Sequence, residues 1–384
     1  MRFEFATAGR IIFGPGAVAE LGPLARSIGR RAFVVTGKDK IRHADAINDL
    51  ESAGLGCTLF GVAGEPTVSL VREGAALFRT AGCELLIAIG GGSAIDAGKA
   101  IAALAANPGD VLDYLEVIGK GQPLRNPPFP MIAVPTTAGT GSEVTRNAVL
   151  GSPEHGVKAS LRSPMMLPRV AIVDPQMTLG LPRAITASTG LDALTQLIEA
   201  YVCLRANPVT DALCLDGLRA AANSLAIAFD NGNDAAARAR MSYASLLSGL
   251  ALANAGLGVV HGFAAPIGGM FEAPHGAVCA ALLPFGMEVN IRALRERAPE
   301  SGALARYAEI ARVLKGNNGA CAEDGAEWAR LLVSKLNIPS LSAYGIGPQH
   351  VDDIGAKAAL ASSMKANPVA LTVTELEWVL EKSI

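Results

Sequence analysis

Residues 85–93 read LLIAIGGGS, a short apolar strand candidate that runs directly into a glycine turn. In the segment that follows, 94–106, the apolar residues recur at helical spacing. A second strand candidate, 32–36, is also followed at once by glycine. Because strands that alternate with helices are typical of βαβ units, the sequence predicts a parallel sheet whose strand ends point their loops at one crevice. A nucleotide would bind in that crevice.

Two more strand candidates, 131–135 and 170–175, each close with a proline, which ends ladder pairing. Beyond about residue 182 the apolar residues recur at helical spacing instead. Three stretches show this spacing most clearly: 191–202, 211–229 and 238–252. We therefore predict an α/β nucleotide-binding domain with a parallel sheet over residues 1–182, followed by an all-α domain over 183–384.

The bulk composition fits a globular protein of two domains. The chain has 384 residues, more than one hydrophobic core usually organises, and half of them are apolar. The formal net charge is −2 and no long run of lysine or arginine occurs, which argues against a nucleic-acid partner. A small-molecule substrate is favoured, with no nucleic acid and no membrane.

The six cysteines show no CxxC spacing, which argues against both a disulfide framework and a thiolate zinc site. We expect most of them to be buried, reduced and inert. They are Cys57, Cys83, Cys203, Cys214, Cys279 and Cys321.

The N-terminus carries an early acid, Glu4, and no long apolar run, so we expect no signal peptide and a cytoplasmic location. The most apolar stretch, 244–260, is predicted to be one buried helix.

Two loops have the composition of phosphate-binding loops. The glycine run 90–93 lets backbone N–H groups approach a phosphate at a helix N-terminus, although its spacing is not GxGxxG and a simple tight turn is the alternative. The second loop, 136–143, reads TTAGTGSE, with four hydroxyls that suit phosphate or ribose oxygens. Its alternative role is a helix entry with Ser142 as the N-cap.

The glycine run 90–93 with Asp96 and Lys99, together with the run 135–143, resembles the two nucleotide-binding signatures of the iron-containing (group III) alcohol dehydrogenases. The resemblance implies that family's architecture, which dehydroquinate synthase shares: an α/β domain with a parallel sheet and an all-α domain for metal and substrate. It also implies an NAD or NADP cofactor and self-association as dimers or larger assemblies. The residues that it assigns to the cofactor are Gly91, Gly92, Ser93 and Asp96 for the pyrophosphate and nicotinamide region, Thr136, Thr137 and Thr140 along the dinucleotide, and Lys158 at a ribose.

The choice between NAD and NADP depends on the end of the first strand. Many NAD-specific members of the family carry an acid there, which would grip the adenosine ribose and repel a 2′-phosphate. This chain has Gly37 and Lys38 instead, which removes the repulsion and offers a cation. NADP therefore becomes an option, while Glu65 could supply a carboxylate from the next loop and Lys38 could be an ordinary solvated lysine.

The resemblance also implies a divalent metal, iron or zinc, held by one aspartate and three histidines. Asp192, His261 and His275 match three of these positions, but the fourth falls on Gln196. A glutamine can ligate through its carbonyl oxygen, but it is a weak neutral donor that would loosen the site. A catalytic zinc with three protein ligands is nevertheless familiar.

A second departure lies four residues after His261, where the family commonly has a histidine and this chain has Ala265. Proton transfer would then run through water and ribose hydroxyls, or through another residue such as His155. Each matched residue also has a structural alternative. Thr189 to Asp192 has the spacing of a capping box at a helix start, and a lone histidine is often only a hydrogen-bonded structural residue.

Four functions remain open on these residues. The first is a metal-assisted oxidoreductase that interconverts an alcohol and an aldehyde or ketone by hydride transfer. The second is a metal-independent keto-acid or carbonyl reductase in which His261 or His275 acts as the catalytic acid. The third is a lyase related to dehydroquinate synthase, and the fourth is a nucleotide-binding protein without catalysis.

Overall fold

The computed structural model describes residues 2–39 and 42–384, and its contacts divide the chain into two compact units. The α/β unit comprises Ala6–Thr137 and Gly141–Thr178. The helical unit comprises Leu179–Ile384 together with the short segments 2–5 and Ala138–Thr140.

The α/β unit is built on a six-stranded sheet. Its strands, with those of a separate hairpin, are β1 (Ile11–Phe13), β2 (Arg31–Gly37), β3 (Gly56–Val62), β4 (Leu85–Gly90), β5 (Met131–Pro135), β6 (Asn147–Ser152), β7 (Val157–Arg162) and β8 (Val170–Val173). The sheet order is β1-β8-β5-β4-β2-β3 and every pair is parallel, whereas β6 and β7 pair antiparallel. The four predicted strands are β2, β4, β5 and β8, and the predicted parallel sheet is confirmed.

Helices cover both faces of this sheet. They are α1 (Leu21–Ile28), α2 (Ala44–Ser52), α3 (Val68–Thr80), α4 (Gly92–Ala106) and the single turn α5 (Val111–Tyr114). Successive side chains of β2 point to opposite faces, so Phe33 joins the core formed with α3 and α4, while Val34 joins the core formed with α1 and α2. This double burial explains why the central strands read as continuous apolar runs.

The predicted helical character of the second half is also confirmed. The helices of the helical unit are α6 (Arg183–Val202), α7 (Pro208–Ala222), α8 (Leu225–Asp230), α9 (Ala235–Asn254), α10 (Val259–Met270), α11 (His275–Arg297), α12 (Gly302–Lys315), α13 (Ala322–Lys335), α14 (Val351–Leu360) and α15 (Val373–Ser383). By length and apolar composition α11 could span a membrane, but 83% of its apolar window is buried inside the protein. We interpret α11 as a core helix.

Two predicted helices are in fact broken. The stretch 211–229 contains two helices, because α7 ends at Ala222 and α8 begins only at Leu225. The stretch 244–260 contains the end of α9 and the start of α10, which are bent by 94° across four residues that include two glycines. Apolar spacing continues through both breaks, which is why periodicity alone did not reveal them.

The structure rules out the two alternative roles at helix starts. Helix α6 begins at Arg183, so Thr189 and Asp192 lie in its interior and form no capping box. The hydroxyl of Thr189 instead donates to the carbonyl of Ile185, one turn back. Ser142 is not an N-cap either, since it is the first residue of a three-residue turn preceded by Gly141 with a φ of 61°.

Gly98 sets the distance between α4 and the sheet. A Cβ at this position would lie 2.8 Å from Leu86 Cδ2 and 3.2 Å from Ala88 Cβ, both in the core. We expect Gly98→Ala to lower the free energy of unfolding by about 1–3 kcal/mol through overpacking. Gly355→Ala in α14 is the control, because a Cβ there meets nothing within 4 Å and should raise stability by about 0.5–1 kcal/mol. If the denaturant midpoints of both variants shift in the same direction relative to the wild type, this interpretation is contradicted.

Candidate functional site

The two glycine-containing loops meet in the α/β unit at the carboxyl ends of neighbouring strands. The backbone N–H of Thr136, after β5, donates to the carbonyl of Gly90 at the end of β4, at 2.9 Å. A Cβ on Gly91 would lie only 3.3 Å from Thr137 Oγ1, so glycine permits the two loops to touch. Gly91, Gly92 and Ser93 are half-buried, and Gly92 begins α4. Open backbone N–H groups at a helix N-terminus suit a phosphate.

Asp96 anchors the second loop to α4. Its carboxylate accepts a hydrogen bond from the hydroxyl of Ser142 and one from Val149 N at 2.9 Å, and it lies 3.1 Å from Lys99 Nζ. Lys99 is fully buried and donates to Thr145 Oγ1 at 2.9 Å. The buried ion pair therefore holds the loop in place, and a role of Asp96 towards the cofactor stays a prediction.

The remaining predicted cofactor residues are spread over other elements. Gly37 ends β2 and is followed by Lys38, whose side chain is exposed. Lys158, on β7, lies 3.3 Å from the carboxylate of Glu65 and is only 11% exposed. Lys158, which was assigned to a ribose, is thus ion-paired with Glu65, which was considered for the adenosine side. Thr140 falls in the segment that groups with the helical unit.

The helical unit brings three predicted metal ligands together. Asp192 Oδ1 lies 3.4 Å from His261 Nε2 and 3.7 Å from His275 Nε2. We call these three residues the ligand cluster. Cys279 adjoins it, and the four potential ligand atoms all lie within 4.8 Å of one another. The expectation that most of the cysteines are buried is confirmed, since four of the six are buried, and all six are free thiols. The argument from spacing against a thiolate zinc site stays a prediction.

Local backbone features place each residue of the ligand cluster. Asp192 lies in the buried middle of α6, His261 lies in the first turn of α10, and His275 begins α11. A Cβ on Gly276 would lie 2.4 Å from the carbonyl oxygen of Ser188, so only glycine lets the start of α11 approach α6 this closely. The approach sets His275 beside Asp192.

Glu199 is a functional residue that the sequence reasoning missed. Its Oε2 lies 2.6 Å from His261 Nδ1, and its Oε1 accepts a hydrogen bond from Val260 N at 2.7 Å. A carboxylate on the outer nitrogen of a histidine fixes the ring so that Nε2 faces the cluster. The available signal was its position seven residues after Asp192, two turns along the same helix face.

Burial and charge act against each other at the cluster. Burial alone would raise the pKa of Asp192, but His275 and His261 outweigh it and lower that pKa. The charge of Cys279 is the main cause that raises the pKa of His275 to about 9. Burial opposes ionisation of the Cys279 thiol as well, yet His275 and His261 lower its pKa. By contrast, burial raises the pKa of Cys214 and outweighs the opposing charge of Arg306.

The two departures from the expected histidine pattern lie in different settings. Gln196 is buried one turn after Asp192, and its side-chain oxygen accepts a hydrogen bond from Ser248 Oγ at 3.0 Å. Its role as a metal ligand stays a prediction. Ala265 is exposed on α10. His155, the other residue considered for proton transfer, lies in the exposed turn of the β6–β7 hairpin, where Nδ1 is 2.7 Å from Ser152 Oγ.

Glu143, in the second nucleotide loop, gives a pH-dependent prediction. Burial raises its pKa from 4.5 to about 7, so the folded state binds a proton that the unfolded state releases between these values. This contribution to stability is present below about pH 4.5 and is lost as the pH rises through about 7. Glu143→Gln should therefore gain stability relative to the wild type across that interval, by up to roughly 3 kcal/mol in denaturant titrations. Glu154→Gln, at an exposed position, is the control. The same gain in stability in that variant would contradict the assignment of the pH dependence to Glu143.

Models of known protein families match both halves of the chain. The family model described as iron-containing alcohol dehydrogenase matches residues 8–175, and that of the C-terminal part of the same family matches 186–384. The 1,3-propanediol dehydrogenase of Klebsiella pneumoniae is 39% identical over 93% of this chain and 90% of its own length. The NAD-dependent methanol dehydrogenase of Bacillus methanolicus is 33% identical over 97% of each chain. A crystal structure of 1,3-propanediol oxidoreductase superposes with a TM-score of 0.91 at 35% identity and covers 100% of both chains.

The matches span the nucleotide loops and the ligand cluster alike, and they agree with the parallel-sheet and helical units observed here. The chain therefore belongs to the iron-containing alcohol dehydrogenase family.

Proposed function

We propose that this protein interconverts a small alcohol and the corresponding aldehyde or ketone by hydride transfer to or from NAD or NADP. The observation that carries the proposal is the ligand cluster, buried in the helical unit of a chain whose α/β unit presents two nucleotide loops. Membership of the family supports the reaction class, since the curated relatives are alcohol, propanediol and methanol dehydrogenases. A cytoplasmic, homo-oligomeric enzyme is part of the same proposal.

The residues present fit a divalent metal ion. Asp192 Oδ1 is buried and has no hydrogen-bond partner among the described residues. A buried carboxylate oxygen without a partner is costly, and a cation would satisfy it. Imidazole nitrogens beside a carboxylate oxygen form a donor set that binds zinc or ferrous iron. Such an ion, when bound, polarises the substrate oxygen as a Lewis acid.

The protein's own side chains hold and orient this site. Glu199 fixes the His261 ring, and the packing of α11 on α6 fixes His275. The His275 side chain is 33% exposed while those of Asp192 and His261 are buried, so the substrate would approach from the His275 side. Ala265 carries no imidazole that could accept the proton of the alcohol, so that proton would pass to water or to another residue.

The cofactor side leaves NAD and NADP both open. Lys38 is exposed at the end of β2 and offers a cation to a 2′-phosphate. Glu65, which could instead bind a ribose hydroxyl, is already paired with Lys158. Kinetic measurements with both cofactors therefore belong in the test of this function.

Glu199→Gln tests the orientation of His261. Loss of a carboxylate behind a metal-binding histidine typically weakens metal binding by 10–100-fold, and we expect about that loss here. Competition with a chelator of known affinity measures it. Glu375→Gln is the matched control, since Glu375 is also a buried carboxylate of the helical unit but pairs with Arg297 at 2.8 Å. Equal metal affinity of the Glu199→Gln variant and the wild type would contradict the orienting role.

The function itself is tested by NAD(P)H consumption under anaerobic conditions with short aldehydes and ketones. Chelator-stripped protein should be inactive and should recover when ferrous or zinc ions are restored, because the ligand cluster would otherwise lack its Lewis acid. Full activity of the stripped protein would reject the metal's role and favour the histidine-assisted reductase. Cofactor binding without any turnover would reject the enzyme.

A further inference from the structure

Cys279 is aimed at the ligand cluster by the helix that carries it. It follows His275 by four residues on α11, so the two side chains lie on the same helix face. The side chain is fully buried. Its Sγ lies 3.6 Å from His275 Nε2 and 3.8 Å from His261 Nε2. The thiol therefore faces the point on which the two imidazoles converge.

Four of the six separations among the donors lie close to those of a tetrahedral metal site. Tetrahedral zinc with ordinary bond lengths places nitrogen and sulfur ligands roughly 3.6 Å apart, and nitrogen and oxygen ligands roughly 3.3 Å apart. Here the nitrogen–sulfur distances are 3.6 and 3.8 Å. The nitrogen–oxygen distances are 3.4 and 3.7 Å. All four donor atoms lie within 4.8 Å of one another, so they can converge on one ion.

Gln196, which occupies the position of the missing histidine, is engaged elsewhere. Its side-chain oxygen bonds to Ser248 Oγ, which also lies 2.8 Å from the carbonyl oxygen of Ser245. The amide thus belongs to a polar network with α9, and it brings no charge to a cation. A thiolate brings both a negative charge and a strong bond to zinc.

We propose that the thiolate of Cys279 is the fourth protein ligand of the metal, in place of the histidine that the family resemblance implies at position 196. The inference rests on the proposed function in that a divalent ion must occupy the ligand cluster. Because thiolate ligands favour zinc over the harder ferrous ion, the site selects zinc. The thiol proton is released to solvent when the metal binds.

Cobalt substitution of the full-length protein tests this directly. Co²⁺ bound by a thiolate shows a sulfur-to-metal charge-transfer band in the near ultraviolet, which oxygen and nitrogen ligands do not give. We expect the band in the wild type and in Gln196→Ala, and its loss in Cys279→Ser. The Cys279→Ser variant should bind cobalt at least about 10-fold more weakly. Loss of a residue that only hydrogen-bonds to a metal ligand already weakens metal binding by about 10–100-fold. Cys214→Ser, which removes another fully buried free cysteine, is the matched control and should keep the band.

The outcomes separate this inference from the function on which it rests. Cobalt bound by the wild type without the band overturns thiolate ligation and leaves the metal-dependent function standing. No cobalt bound by the wild type overturns both. Should Cys279→Ser fail to fold, the wild-type spectrum still decides, because it reports thiolate ligation without any variant.

Discussion

The carboxylate of Glu199 organises the end of the helical unit that carries the ligand cluster. One oxygen accepts the Val260 N–H in the first turn of α10, and the other holds the ring of His261. A negative charge at a helix N-terminus is stabilised by the free backbone N–H groups there. Asn367 completes the arrangement by accepting the Val259 N–H at 3.0 Å. Glu199 therefore both caps the start of α10 and directs the ring of His261.

The α/β unit uses a comparable device at its nucleotide loops. Asp96 projects from α4 and binds Ser142 and the backbone of β6, while the buried Lys99 neutralises it. In each unit a carboxylate on a helix fixes a segment that carries functional groups. Removing one partner of such a buried pair leaves an uncompensated charge, so these positions tolerate little change.

How far the sequence predicts this protein depends on how each element is buried. Strands β2 and β4 were predictable because burial on both faces makes them continuous apolar runs, whereas β3 and the β6–β7 hairpin are partly exposed and lack that signal. The ligand cluster was predictable from motifs. The positions of Glu199 and Cys279 beside the cluster were not, because they follow from helix faces that meet in space, and a search for CxxC spacing does not detect a thiol four residues after a histidine.

The face of α11 that carries His275 and Cys279 points at the same place as the face of α6 that carries Asp192. When two rigid helices converge on one point, a donor atom removed from one helix can be restored from the other by a single side-chain exchange, with no movement of either backbone. An alignment that compares one position at a time would then indicate that a metal site had been lost, although only the sequence position of one ligand had changed.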